Sequence, residues 1–192
     1  MIRIPTLALT LAIAASAGAA AAGSTTWSAD PVHSSATFTA THLAISHVSG
    51  IIPIKSAQIV VPDDSNIPSS ARAELNPAGL DTRNDFRDSD LRSPHFFETD
   101  TYPGMSFTST KITATDATHF SMEGNLTMHG QTHPVNLAGE YLGRGPGMGK
   151  GEVRIGYTAK ATIDRTQWGM TYGSIVASNS IDLELDIEAI RQ

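Results

Sequence analysis

The chain has 192 residues, carries a formal net charge of −6 and contains no cysteine. This length suits one domain with a substantial hydrophobic core. A sequence without cysteine excludes disulfide bonds, thiolate nucleophiles and cysteine-ligated metals. The basic side chains are scattered along an acidic chain, which argues against nucleic acid as a partner and against adsorption to an anionic membrane surface.

The first 22 residues have the pattern of a secretory signal peptide. Arg3 supplies the positive start, residues 7–15 form an apolar run, and residues 20–22 are the small residues that signal peptidase requires. The run is short for a membrane span, so an uncleaved anchor is the weaker alternative. We expect cleavage near Ala22, a folded domain over residues 23–192, and a periplasmic location.

The rest of the chain alternates apolar and polar residues in eight runs separated by turn residues, which predicts β strands with one buried and one solvated face. The runs cover roughly residues 33–43, 51–61, 71–76, 105–113, 120–128, 135–141, 152–163 and 180–190. Eight antiparallel strands of this spacing predict an all-β fold, either an up-and-down barrel or a two-sheet sandwich.

Small residues recur on the apolar sides of these strands. They are Ala36, Ala40, Ala71, Ala73, Gly124, Ala159 and Ala161. An eight-stranded barrel is either just filled by its inward side chains or holds one small ligand. The small residues favour a cavity, although they could instead lie opposite large residues such as Phe38 and Tyr157 where a filled barrel tapers.

Large apolar residues on the same inward rows are the candidate walls of a ligand cavity. They are Phe38, Leu75, Phe120, Met122, Leu126, Met128, Ile155, Tyr157 and Leu183. His42 lies in phase with Phe38, and an inward histidine requires a hydrogen-bond partner. That partner is either the polar head of a ligand, or a neighbouring strand or buried water, and Tyr157 has the same two interpretations.

Residues 81–97 lack strand alternation and predict a short helix, capped by Thr82 or Asn84 and ended by Pro94. We expect this segment to cover one mouth of the barrel, either as a solvated helical lid with surface ion pairs or as a cap with four apolar side chains turned inward. These are Phe86, Leu91, Phe96 and Phe97. The neighbouring charges Arg87-Asp88 and Asp164-Arg165 are interpreted as ion pairs that hold the segment or orient a polar ligand end.

No recognisable catalytic or metal motif accompanies these strands. His129 and His133 flank a turn, but no third ligand occurs at a metal-binding spacing, and His129 is expected to be exposed. The sequence contains no nucleophile elbow, phosphate loop or dinucleotide fingerprint. We therefore expect no catalytic residues and no metal.

Five groups of residues, in this order and spacing, carry a family resemblance. They are Trp27, Asp30, His33-Ser34, Phe38 and His42; Thr82, Arg87-Asp88, Leu91-Arg92-Ser93 and Phe96-Phe97; Tyr102-Pro103, Phe107 and Ser109-Thr110; Gly124-Asn125-Leu126-Thr127, Gly130 and Thr132; and Asp164-Arg165 with Gly169-Met170. With them the chain resembles the YceI family of periplasmic polyisoprenoid-binding proteins. It departs from the family pattern at Ile51, Ile52, Ala57 and Asp90.

The resemblance implies a lipocalin-like, eight-stranded antiparallel barrel around a long apolar tunnel. The implied ligand is an isoprenoid quinone or a similar long-chain lipid, with no other cofactor and no catalytic residue. It further implies storage or transport of that lipid and transient contact with inner-membrane respiratory proteins. We expect a monomer or a homodimer. The alternatives are a lipid-modifying enzyme that uses the same cavity and a structural or stress-response protein with a filled interior.

Overall fold

The structure is a computed structural model that describes residues 23–192, so the predicted signal peptide lies outside the described residues. Within this range the strands are β1 (Ser24–Ala29), β2 (Ser35–His42), β3 (Ser46–Ile51), β4 (Ile54–Pro62), β5 (Ser70–Leu75), β6 (Met105–Ala114), β7 (His119–Met128), β8 (Gln131–Pro146), β9 (Val153–Asp164) and β10 (Ala177–Arg191). The α helix is α1 (Asp85–Arg92), and 3-10 helices cover Pro77–Gly79 and Arg165–Trp168.

The strands close into a barrel because β1 and β2 lie end to end along β10. Trp27 pairs with Arg191, and Phe38 pairs with Leu183. β3 pairs with β2, and β4 pairs with β1. β1 and β2 therefore form one interrupted strand, and β3 and β4 form a second one beside it. The ten segments therefore form a closed eight-stranded antiparallel barrel. Closure confirms the barrel prediction and excludes the two-sheet sandwich.

One end of the barrel is filled by large side chains, and we call it the closed end. Trp27, Val61 and Ile155 are almost completely buried there beside Ala189. The guanidinium of Arg144 lies over the Trp27 ring, 5.1 Å from its centroid. The burial of these residues supplies much of the hydrophobic stabilisation of the fold.

Three phenyl rings lie against glycines of neighbouring strands. The pairs are Phe38 with Gly50, Phe107 with Gly124, and Phe120 with Gly139. A Cβ atom at any of these glycines would overlap the ring, because the approach is closer than real Cβ contacts allow. Gly124 therefore accommodates an aromatic ring rather than opening space in the barrel, which corrects the interpretation of this glycine as a cavity residue.

The connection between β5 and β6 contains α1 and lies across the opposite end of the barrel. Asn84 caps the helix, its side-chain oxygen accepting a hydrogen bond from the Arg87 N–H at 2.9 Å. Buried Asp88 accepts hydrogen bonds from the N–H and hydroxyl of Thr82, while Arg87 donates to the hydroxyl and carbonyl oxygens of Thr82. The predicted Arg87–Asp88 ion pair is thus wrong, since both side chains bind Thr82. Among the described helices, none is long and apolar enough to cross a bilayer.

Candidate functional site

A cavity of about 470 Å³ occupies the barrel between the closed end and the α1 connection. Nearly all of the predicted binding residues line it: Phe38, His42, Leu75, Phe86, Leu91, Phe97, Phe120, Met122, Leu126, Met128, Tyr157 and Leu183. Ile155 does not. It lies one inward position beyond Tyr157 and packs with Trp27 at the closed end, where the barrel is already filled.

Alanines form much of the wall of this cavity, as the alternation of the strands predicts. They are Ala36, Ala40, Ala57, Ala71, Ala73, Ala159, Ala161 and Ala177. Each projects one methyl group into the barrel, which leaves the axis open where branched side chains would otherwise meet. The volume is within the range of small-molecule sites, so the alternative of a filled interior does not describe this fold.

Tyr157 and Phe120 form the floor of the cavity. Their rings meet edge to face at a centroid distance of 6.1 Å. The Tyr157 hydroxyl donates a hydrogen bond to the Asn66 carbonyl at 2.8 Å, and burial raises the pKa of this hydroxyl above its ordinary value. The hydroxyl therefore stays protonated and is already engaged, so it serves neither as a general base nor as a free contact for a ligand head.

The cavity opens at the other end, and we define the mouth as the rim formed by α1, the end of β2 and residues 170–177. Leu91, Phe96 and Phe97 are partly buried at the mouth, as predicted. Phe86 is different: it touches the cavity but is 86% exposed, because it lies on the outward side of the first turn of α1. The expectation that Phe86 turns inward is therefore wrong, and the cavity reaches solvent beside it.

Arg165 lies at the mouth and is only 4% exposed. Its guanidinium donates hydrogen bonds to the carbonyls of Met170, Ala177 and Ser178 and lies 5.5 Å from the Phe96 ring centroid. Burial lowers the pKa of Arg165 relative to an exposed arginine. No carboxylate of the described residues lies within ion-pair distance of its guanidinium, and the neighbouring Asp164 carboxylate acts on this charge only at longer range.

The predicted Asp164–Arg165 ion pair is therefore wrong. Asp164 instead accepts hydrogen bonds from the N–H and hydroxyl of Thr166, which caps the second 3-10 helix and lowers the pKa of Asp164. Sequence reasoning did not single out Arg165 as a cavity residue. Its hydrogen-bond partners are main-chain carbonyls, and no pattern of side chains in the sequence predicts such partners.

His42 is the last residue of β2, pairs in register with Ala177 and lines the cavity. Its ring makes no hydrogen bond to another described residue. A neighbouring strand therefore does not supply the hydrogen-bond partner of His42. A ring nitrogen at the mouth remains available to a polar ligand group.

His129 is largely buried, contrary to the expectation that it is exposed. Its backbone adopts φ 49° at the β7–β8 turn, and its Nδ1 lies 2.7 Å from the Trp168 carbonyl. Nε2 is 3.5 Å from a Glu98 carboxylate oxygen. The turn therefore directs His129 back toward the second 3-10 helix, where it fastens that helix to the barrel.

Asp30, His33 and Glu188 are the one group of possible metal ligands that the described residues bring together. Arg154 donates to both carboxylates, at 2.8 Å for Asp30, and binds Glu152 as well. The carboxylates thus already have a cationic partner. This cluster lies on the outer wall of the barrel and holds the β1–β2 interruption against β9 and β10.

The family model described as YceI-like domain matches residues 27–189. The chain belongs to the YceI-like family. A UPF0312 protein of Pectobacterium atrosepticum is 28% identical over 193 residues and covers 100% of both chains. The crystal structure of the Campylobacter jejuni YCEI protein is 29% identical, with a TM-score of 0.68, covering 79% of this chain and 90% of that one.

A second YceI-like barrel is described as a polyisoprenoid binding domain from Saccharophagus degradans, implicated in plant cell wall breakdown. It has a TM-score of 0.59 and 13% identity and covers 86% of this chain and 98% of that one. At this identity the comparison establishes the shared YceI-like fold. The barrel is therefore common to the family, and the cavity is a feature of this chain.

Proposed function

We propose that this YceI-like protein binds a long-chain hydrophobic ligand in its barrel and stores or transports it in the periplasm. The ligand class is a polyisoprenoid, an isoprenoid quinone or a similar amphiphile. The observation that carries the proposal is the alanine-lined, almost wholly apolar cavity, which is closed at one end and open at the other.

The energetics of burial favour such a ligand. Each buried methylene contributes about 0.8 kcal/mol, so a tail of about a dozen carbons gains roughly 10 kcal/mol before ordering costs are subtracted. Binding of such a tail therefore depends more on an apolar cavity of suitable shape that excludes water than on hydrogen bonds from the walls. Met122 and Met128 are adaptable wall residues and suit tails that vary in saturation.

Two groups at the mouth suit a polar head. His42 offers a ring nitrogen without a protein partner, and Arg165 places an unpaired positive charge beside the cavity. A quinone carbonyl or hydroxyl oxygen would accept a hydrogen bond from His42 and be attracted by the positive charge of Arg165 while its tail extends toward Tyr157. We therefore place the head at the mouth and the tail on the floor.

We propose a binding protein rather than an enzyme. The Tyr157 hydroxyl is engaged by Asn66, and the Arg165 guanidinium is engaged by three carbonyls, so neither is free for proton transfer. The name of the Saccharophagus degradans relative, a polyisoprenoid binding domain, supports the same conclusion. The periplasmic location rests on the signal-peptide pattern of residues 1–22, and exchange with respiratory proteins of the inner membrane rests on the family resemblance.

Native mass spectrometry of protein purified from its own periplasm without detergent tests the proposal. We expect a bound long-chain species that is released on activation and can be identified. A matched pair of variants on β9 strengthens the test. Ala161→Phe fills the cavity and should abolish retention of the ligand, whereas Thr162→Phe, on the outer face, should retain it. A protein that is always free of ligand, or equal retention by both variants, contradicts the proposal.

A further inference from the structure

Large apolar side chains are exposed in a group around the mouth of the cavity. We call this group the apolar rim; it consists of Leu43, Ile45, Phe86, Tyr172, Ile175 and Val176. Ile45 is 84% exposed and Ile175 is 94% exposed. Scattered exposed hydrophobic residues are ordinary, but a contiguous patch around an opening marks an interaction surface.

Hydrogen bonds and stacking hold the segments of the rim together. The Leu43 N–H donates to the Val176 carbonyl at 2.8 Å, which joins the β2–β3 turn to residues 170–177. The Tyr172 ring stacks on His95 at a centroid distance of 3.8 Å, which joins the same segment to the α1 connection. Leu43 and Ala44 adopt φ 50° and 59°, an unfavourable conformation for residues other than glycine. These contacts hold the apolar rim in a defined conformation.

Charged side chains are missing from the segments that form most of this rim. Residues 31–54 and 166–181 contain no Asp, Glu, Lys or Arg. The acidic residues of β10 instead lie on the outer wall, at Asp182, Glu184 and Asp186. Moving a charge into the hydrocarbon region of a bilayer is costly, whereas apolar and aromatic side chains insert favourably at its interface. This charge distribution fits a lipid surface better than a charged protein partner.

We propose that the apolar rim docks the protein on a lipid bilayer with the cavity mouth against the membrane. The proposal rests on the proposed function, since it names the source and destination of the ligand. Phe86 and Val176 belong both to the rim and to the cavity lining, so a tail could pass from the bilayer into the barrel without crossing water. With a net charge of −6, docking occurs by shallow apolar insertion rather than by attraction to anionic lipid.

The absence of cysteine from the sequence allows single environment-sensitive labels. Ile45→Cys, Ile175→Cys and the control Met148→Cys, which is fully exposed in the β8–β9 loop at the closed end, each receive an NBD fluorophore. With phosphatidylcholine vesicles, we expect a blue shift and brighter emission at positions 45 and 175 and no change at 148. Unchanged emission at 45 and 175 overturns the proposal, and so does a concentration-dependent shift without vesicles, which would assign the rim to a second copy.

Vesicle flotation of a double variant gives the complementary measurement. Ile45→Glu with Ile175→Glu should lower the vesicle partition coefficient at least tenfold, and Met148→Glu should leave it unchanged. The protein is taken as the cell processes it, and all variants are compared at one N-terminus determined by mass spectrometry, because residues 7–15 are themselves apolar. Binding of a soluble fluorescent fatty acid should be equal in all variants, so loss of docking is distinguished from loss of the cavity. Equal flotation of the double variant and the wild type contradicts the proposal.

Discussion

Arg165 shows how one side chain can organise an irregular segment of the barrel. Its guanidinium reaches carbonyls on both sides of the 170–177 segment and positions that segment at the cavity mouth. The planar, multiply donating guanidinium is suited to this task, and an ammonium group is not. The sequence reveals that Arg165 is charged and adjoins Asp164, but its three acceptors belong to backbone that only the folded chain brings together.

Arg165→Lys should therefore destabilise the protein by about 3 kcal/mol, since buried carbonyls lose their charge-assisted donors. Urea denaturation at neutral pH measures this change. Arg83→Lys is the matched control, because Arg83 is exposed and should change the free energy of unfolding by less than about 0.5 kcal/mol. Equal stability of the two variants would show that the three hydrogen bonds contribute little.

His42→Ala should weaken discrimination between ligand heads more than it weakens the fold. The ring lines the cavity and has no hydrogen bond to a described residue, so its removal leaves no orphaned partner. Titrations with a long-chain quinone and a hydrocarbon of the same tail should give a smaller affinity ratio for the variant. An unchanged ratio together with a collapsed melting temperature would reverse this assignment.

At the scale of elements, strand alternation predicts most of the barrel because each strand has one solvent-exposed face and one buried face. The runs predicted at 120–128 and 180–190 lie within β7 and β10. The two interruptions and the separate β1 were not predicted. The first interruption depends on Asp30, which binds Arg154 across the sheet, and such a cross-strand contact has no local signature.

The β1–β2 interruption should make stability depend on pH through Asp30. Hydrogen bonds from His33, Arg154 and the Val32 N–H hold the pKa of Asp30 well below its usual range. A lowered folded-state pKa stabilises the fold fully above about pH 5, and this contribution is lost as the pH falls below about 4. Asp30→Asn should thus be less stable than the wild type at pH 7, with the difference shrinking at pH 3.

Urea denaturation at both pH values gives this comparison. Asp64→Asn provides the control, since Asp64 is exposed and lies in the turn after β4. It should match the wild type at pH 7 and pH 3. A difference for Asp30→Asn that stays constant between the two pH values would exclude titration of Asp30 as the cause.

At the scale of the whole molecule, the filled end and the cavity are separated along the barrel axis. The closed end is packed by Trp27 and Ile155, whereas the cavity lies beyond Tyr157, where alanines line the inward rows and a second buried cluster packs around Trp168 and Met170. Periodicity predicted which residues point inward, and nearly all of the predicted binding residues line the cavity. It could not predict where along the axis the filled part ends, which is why Ile155 and Tyr157 differ in role although both point inward.

This separation predicts that Ile155→Ala lowers the free energy of unfolding by about 3 kcal/mol, since it leaves a void in a packed region. The affinity of the folded protein for a fluorescent fatty acid should stay within about twofold, because Ile155 does not touch the cavity. Urea denaturation and a titration well below the transition measure the two quantities. A large loss of affinity in the folded variant would place Ile155 in the ligand site.

The three phenyl rings that rest on glycines determine how wide the barrel is inside. Each ring lies against the wall only because the facing residue has no side chain. A methyl group at Gly139 would meet the Phe120 ring and would tilt it toward the axis, whereas at Gly50 or Gly124 it would also meet Thr82 or the Thr108 carbonyl. Proteins with this barrel that exchange only Gly139 for alanine should therefore admit slimmer tails, with unbranched chains favoured over methyl-branched ones.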